Sequence, residues 1–313
     1  LSVQVLLKMI SPEAASKLLS QVIVTKLRHS CEMFFTKEKT DENFFISVQG
    51  SLASEQFLFT SDIDLLFISD NASNNFKLQK TLTKLLHLLQ KDFSPIEVDC
   101  RLRPEGKSSQ MVWDLHGYEN YFENRIRTWE MQALCKLAFV YGEENLFLQF
   151  EKLITKKIKS LDEDELRNDI FAMHNQVTAS SKLGDASINL KKGTGSLLET
   201  DFLLQFLLLK HAPLYKSLRN KPANIILQRF KKETILSEKE CQALLSAREL
   251  FRQIDTFNFL LFEDKKHQLT FDSEEFLTLS EFLNFAERKE LQTKIREALN
   301  NIHLLFQKYL FKK

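Results

Sequence analysis

Three aspartates stand where a chain could hold divalent cations. Asp62 and Asp64 are two apart in Ser61-Asp62-Ile63-Asp64-Leu65-Leu66, at the head of strand formers that continue through Phe67 and Ile68. Alternation along a strand puts both carboxylates on one face, with their Cα atoms about 7 Å apart. Two acids facing the same way beside an apolar run are costly unless a cation lies between them. Hard divalent cations take oxygen ligands of this kind, and Mg2+ in turn holds substrate phosphates. Asp99 is the third acid, in Ile96-Glu97-Val98-Asp99-Cys100-Arg101-Leu102-Arg103, a second run with strand character. On a strand, Asp99, Arg101 and Arg103 share a face, so one acid and two phosphate-seeking cations point the same way. The chemistry this set supports is metal-assisted nucleotidyl transfer.

Those residues need a sheet beneath them. Phe44 to Val48 reads as a short strand feeding a Gly50-Ser51 turn, followed by the strand from Ile63, a leucine-repeating helix from Phe76 to Gln90 (Leu78, Leu82, Leu85, Leu86, Leu89), the run 96–103, and a fourth strand at Met111 to Asp114. Pro104 to Lys107 is a turn. Strands and a helix joined by short connections predict a small mixed sheet backed by helices. Before it, residues 1 to about 40 read as helix, with Ser11-Pro12-Glu13 as a cap followed by Pro at the first helical position. From His116 onward the pattern predicts helices only: 118–125, 128–140, 143–183 as one long or broken helix, 197–211, one opened by the capping box Ser237-Glu238-Lys239-Glu240 and running to about Phe262, one opened by Asp272-Ser273, and 289–310. The expected fold is therefore α+β: an N-terminal helical segment over 1–40, a nucleotidyl-transfer domain with a small mixed β-sheet over 41–142, and an all-α bundle over 143–313.

Composition bounds the alternatives. The 313 residues suffice for two domains, and 43% hydrophobic with 27% charged residues is the balance of an ordered globular chain. A net charge of +1 argues against a broad basic surface for nucleic acid. Phe is over-used (27 residues) while Gly and Pro are scarce (7 and 5), which favours long helices. Cys31, Cys100, Cys135 and Cys241 form no Cys-x-x-Cys pair and are expected as buried, reduced thiols with no zinc or disulfide framework. The longest apolar run, Phe202 to Leu209, is too short to span a bilayer. A cytoplasmic protein is expected, and the start at Leu1 fits a fragment of a longer chain.

A Gly-Ser turn, then Asp-x-Asp, then a distant Asp is the pattern of the DNA polymerase beta-like nucleotidyltransferase fold. A more specific resemblance follows from Val98-Asp99-Cys100-Arg101-Leu102-Arg103-Pro104, Trp129-Glu130-Met131-Gln132-Ala133-Leu134 and Gly142-Glu143, together with Lys191-Lys192-Gly193-Thr194-Gly195-Ser196 and Glu199-Thr200-Asp201-Phe202. In this order the motifs resemble the bacterial glutamine synthetase adenylyltransferase family from about Gly50 to Gln205. The resemblance implies a Mg2+-dependent enzyme that transfers AMP from ATP to a tyrosine of glutamine synthetase, with the PII regulatory protein as a second partner and neither nucleic acid nor membrane as one. Asp62, Asp64 and Asp99 would hold two Mg2+ ions, with Asp99 as proton acceptor. Gly50, Ser51 or Ser54, Ser61, Arg101, Arg103 and Lys107 would contact nucleotide or phosphate. Lys192, Gly193, Gly195, Glu199 and Asp201 form the family's second motif; as a plain reading, that stretch is a capped helix start. Glu97, Thr128, Gln132 and Leu198 favour the adenylylating over the deadenylylating half of the family. Ala53-Ser54 and Ser196 depart from its glycine pairs, which leaves a non-catalytic nucleotide sensor as a third alternative.

Overall fold

The computed structural model describes residues 1–311 apart from 41, 73, 74, 182 and 185, and all of Lys107 but its side chain. In chain order the elements are α1 (Ser2–Leu6), α2 (Pro12–Lys37), β1 (Phe44–Gln49), α3 (Gly50–Ala53), β2 (Ile63–Ser69), α4 (Phe76–Asp92), β3 (Val98–Asp99), β4 (Val112–Asp114), α5 (Leu115–Asn124), α6 (Thr128–Leu134), β5 (Leu137–Gly142), α7 (Glu144–Lys159), α8 (Glu163–Ser180), β6 (Ser187–Asn189), α9 (Leu197–Lys210), α10 (Ala212–Leu218), α11 (Ala223–Lys232), α12 (Glu238–Phe262), β7 (Gln268–Thr270), α13 (Glu274–Phe282) and α14 (Arg288–Leu310). They group into two compact units that do not follow chain order. A sheet unit comprises residues 16–161 and 208–221; a helical unit comprises 1–15, 162–207 and 222–313.

The sheet unit is mixed, as its strand-helix-strand order implies. β1 lies between β2 and β5 and is antiparallel to both, while β3 and β4 run parallel to β2 along its other edge. β1 is buried along its whole length, and Asp64 is the one position of β2 that is not fully buried. One face of the sheet (Phe44, Ile46, Val48, Ile63, Leu65, Phe67) packs on Ile23 and Leu27 of α2 and on all five leucines expected of α4. Each such side chain contributes on the order of 2 kcal/mol by leaving water. The opposite face is closed by aromatics, Phe45 meeting Phe147 and Phe150 of α7 at ring separations of 5.2 and 5.9 Å. Alternation places Asp64 on this second face.

Three expectations of the sequence are corrected. The run 96–103 is a strand only at Val98–Asp99: β3 shares the edge of β2 with β4, and β4 takes Phe67 to Ser69, which residues 102 and 103 would face if β3 continued in register. The predicted helix 128–140 stops at Leu134, and Leu137–Gly142 is a strand instead. Its aromatic and apolar residues suit the open edge of β1, and Asn220 bridges Leu137 by accepting from its N–H at 2.5 Å and donating to its carbonyl. Residues 1–40 form two helices, separated near Lys8, which has a left-handed φ of +54°. The stretch 143–183, expected as one long or broken helix, is broken into α7 and α8, where Asp162 caps the second by accepting from the N–H groups of Asp164 and Glu165 at 3.0 and 2.9 Å.

In the helical unit the predicted helices from Leu197 on are present, and α11, which was not predicted, is added to them. Ser237 and Glu240 close the expected capping box, and Ser273 caps α13. Leu203, Phe206, Phe251, Ile254, Ile295, Ile302 and Phe306 are almost wholly buried in its core. A two-stranded antiparallel sheet of β6 and β7, which the sequence did not announce, pairs Ser187 with Thr270 and Asn189 with Gln268. All four cysteines are free and buried.

Candidate active site

The edge strands position the acids. In the parallel pairing of β2 with β3, Asp64 stands opposite Asp99, one step beyond Ile63 opposite Val98. Two half-buried carboxylates thus lie side by side on adjacent strands, while Asp62 precedes β2 and is exposed. The loop leading to them is fixed at several points: Phe57 is fully buried, its N–H donates to the hydroxyl of Ser20 at 3.2 Å, and the N–H of Ile63 donates to the carbonyl of Glu97 at 2.8 Å.

The Gly50-Ser51 turn is the first turn of the short helix α3, and it lies against the acids. Gly50 has a φ of +66°, and its backbone passes so close to Asp64 that a Cβ there would sit 3.2 Å from Asp64 Oδ2. Its N–H donates to the carbonyl of Lys136 at 3.1 Å, which ties the turn to the start of β5. Of the two candidate serines, Ser51 retains partial exposure. Ser54 is fully buried, and its hydroxyl donates to the carbonyls of Gly50 and Ser51 at 3.4 and 3.3 Å, so it braces the turn from within. Ser61 closes another turn by accepting from the N–H of Leu58 at 3.0 Å.

Arg101 and Arg103 part company, since neither is on a strand. Arg101 is bound to Asp99: its N–H donates to Oδ1 at 2.9 Å and its Nε donates to Oδ2. Arg103 is buried and turned into the protein, donating to the carbonyls of Gln110 (3.0 Å), Ser109 (3.2 Å) and Cys100. It holds the 104–110 loop in place. Lys107 lies in a single 3-10 turn, Gly106–Ser108, and its side chain is outside the described residues. The Trp129-Glu130 motif is also structural. Glu130 accepts from the Tyr121 hydroxyl at 2.8 Å and from the N–H of Arg127 at 2.9 Å; burial pushes its carboxyl up and pushes Tyr121 up to about 12, with the bond to Glu130 adding to the latter.

In the helical unit the second motif is a packing device. A Cβ on Gly195 would lie 2.0 Å from the carbonyl of Leu299 in α14, and one on Gly193 would lie 2.7 Å from the carbonyl of Asn189, so both glycines admit close backbone contacts. The N–H of Lys192 donates to Asn189 Oδ1 at 2.7 Å, and the residue is otherwise exposed. Glu199 is fully buried, contrary to a solvated helix start: His174 Nε2 of α8 lies 2.7 Å and His303 Nδ1 of α14 lies 3.0 Å from its carboxylate. Asp201 pairs with Arg248 at 2.9 Å. Histidines 129 positions apart carry no spacing signal, so this cluster was invisible in the sequence. Gln49 was equally unmarked. It ends β1, is 1% exposed, and has neither amide atom hydrogen-bonded among the described residues; the next step of the β1–β2 register faces it with Asp64.

Among the described residues no group of three His, Cys, Asp or Glu side chains stands ready to hold a metal ion. The donor chemistry still fits one: Asp64 and Asp99 are hard oxygen ligands side by side in register, Asp62 is within two residues, and Asp99 already holds a cation in the form of Arg101. No helix among the described residues is long and apolar enough to cross a membrane.

Comparison with known proteins agrees with this geometry. A family model described as glutamate-ammonia ligase adenylyltransferase matches residues 4–153, and one described as GlnD PII-uridylyltransferase matches residues 171–310. Among curated relatives, the bifunctional glutamine synthetase adenylyltransferase/adenylyl-removing enzyme of Shewanella oneidensis is 27% identical over 82% of this chain and 28% of its own length. The enzymes of the same name from Chromobacterium violaceum and Idiomarina loihiensis are each 26% identical, over 76% and 82% of this chain and 27% and 29% of their own lengths. The chain thus spans between a quarter and a third of the length of these relatives. With its motifs in order and its acids paired on a mixed sheet, the chain is similar to the glutamine synthetase adenylyltransferases, and its sheet unit is a domain of nucleotidyltransferase type.

Proposed function

We propose that this chain transfers AMP from ATP to a tyrosine hydroxyl of glutamine synthetase. The observation that carries the proposal is the register of β2 with β3, which sets Asp64 beside Asp99 with the Gly50 backbone against Asp64. Asp62, Asp64 and Asp99 would hold two Mg2+ ions, which when bound neutralise charge at the attacking and leaving oxygens. The rest falls to the chain. Strand pairing fixes the direction of both half-buried acids, so little reorganisation is needed when charge develops. Gly50 would allow a ligand group to approach close to Asp64, the Ser51 hydroxyl would bond a phosphate oxygen, and Asp99 would accept the tyrosine proton. The adenylylating direction rests on the likeness of Glu97, Thr128, Gln132 and Leu198 to that half of the family.

The test is incubation with α-labelled ATP, Mg2+ and glutamine synthetase from the same source, beside an Asp64→Asn variant. Label on glutamine synthetase that disappears with Asp64→Asn supports the proposal. Phosphate-dependent release of ADP from pre-adenylylated glutamine synthetase assigns the chain to adenylyl removal instead. The match of residues 171–310 to the PII-uridylyltransferase model favours one further arm, labelled UTP with PII protein as acceptor. Nucleotide binding without turnover in any arm makes the module a sensor.

A further inference from the structure

The acid at the centre of the site is already holding a cation. Arg101 engages both oxygens of Asp99, Oδ1 through its backbone N–H at 2.9 Å and Oδ2 through Nε. The partners differ in exposure: the Asp99 side chain is 15% exposed and that of Arg101 is 50% exposed. A nearly buried carboxylate left without a partner is costly, whereas a half-exposed guanidinium gains little from one ion pair. Arg101 can therefore leave without unpacking anything, provided that another cation takes its place. Arg103, two residues on, cannot: it is buried and bound to three carbonyls.

We infer that Arg101 is a latch on Asp99 that a divalent cation displaces and that is thereby released to bind nucleotide phosphate. The inference rests on the reading of Asp62, Asp64 and Asp99 as a metal site. With no metal bound, Arg101 fills the positions on Asp99 that a metal needs. Once displaced, its planar fork matches two phosphate oxygens of a nucleotide arriving with the metal. Metal and nucleotide then bind better together than either alone, each lowering the cost of opening the latch for the other. Arg101 is in this sense a positioning residue, and its removal should act on the two ligands with opposite signs.

The experiment is titration of the full chain with Mn2+, free ion being read by electron paramagnetic resonance, for the unmodified protein, Arg101→Met, Asp99→Asn, the double variant of these two, and Asp64→Asn. Arg101→Met should tighten Mn2+ binding by about two- to fivefold without nucleotide, the range for a partly exposed ion pair. In the Asp99→Asn background the same change should have almost no effect, because the latch has lost its catch. ATP binding in the presence of Mn2+ should weaken about tenfold or more in Arg101→Met, from the loss of a charge-assisted contact. No tightening in Arg101→Met overturns the latch. So does equal tightening in both backgrounds, which would mark a simple effect of nearby charge. Mn2+ binding that is indifferent to both Asp64→Asn and Asp99→Asn removes the metal-site reading, and the latch with it.

Discussion

Gly50 shows how one residue type can be forced by a site. Its φ of +66° lies in the left-handed region, which costs a residue with a Cβ about 1–2 kcal/mol. The methyl of an alanine there would also stand 3.2 Å from Asp64 Oδ2. Gly50→Ala should therefore lower the melting temperature modestly and weaken Mn–ATP binding more than that strain alone predicts, as read by thermal melts and nucleotide titration. An equal loss in both would reduce Gly50 to a turn residue. Gly50 and the two-residue spacing of Asp62 and Asp64 were legible in the sequence, because glycine and period-two alternation each carry a local meaning. Which serine faces solvent was not, since Ser54 is buried by tertiary packing. The Arg103 side chain was misread for a related reason. Its expected direction assumed a strand, and the strand ends at Asp99, with β4 on the part of the β2 edge that Arg103 would have faced.

At the scale of elements, two contacts bear on how firmly the loops and helices are held. Arg103 ties the loop 104–110 back to Cys100; Arg103→Met would take this donor from the partly exposed Ser109 and the exposed Gln110 and leave the carbonyl of the buried Cys100 without it. Unsatisfied acceptors of that kind cost about 1–3 kcal/mol, so urea unfolding should show a loss of that order, with Mn2+ affinity at Asp64 and Asp99 reduced only as far as the loop loosens. In the helical unit, Glu240 joins the start of α12 to the end of α14. Burial alone would push its carboxyl up, but it accepts from Lys308 Nζ at 2.6 Å, from the N–H of Ser237 at 2.7 Å and from the Tyr309 hydroxyl at 3.1 Å, and these hold it at about 2, below the ordinary 4.5. A carboxyl depressed on folding adds stability above its unfolded value that is lost as pH falls through the folded one. Acid unfolding should therefore be steeper between pH 4.5 and about 2 in the unmodified protein than in Glu240→Gln, and parallel curves would refute the assignment. The capping box that places Glu240 was legible because it is local. The strand β5 was not: a short apolar run fits helix or strand equally until the open edge of β1 and Asn220 decide it.

Across the whole molecule, the two stretches that resemble one family fall in different compact units. Asp62, Asp64 and Asp99 lie in the sheet unit, whereas Lys192 to Asp201 lie in the helical unit. The structure accounts for the second stretch by packing: glycines that admit close backbones, Glu199 between two histidines, Asp201 on Arg248. A ligand stabilises the segments it touches, by an amount that grows with its concentration over Kd; at a hundredfold excess this is about 2.7 kcal/mol. Local opening reports it through amide hydrogen exchange. Addition of Mn–ATP should then slow exchange over 50–69 and 98–110 and leave 191–201 unchanged, since the former hold the acids and the latter is already satisfied from within. Slowed exchange at 191–201 would instead enlist Lys191 and Lys192 in nucleotide binding, and the glycines beside them would owe their place to the ligand as well as to the fold. The Asp64→Asn variant separates direct from indirect effects. If protection at 50–69 vanishes in it while any protection at 191–201 persists, the two units bind independently; if both vanish together, the acids govern the nucleotide everywhere.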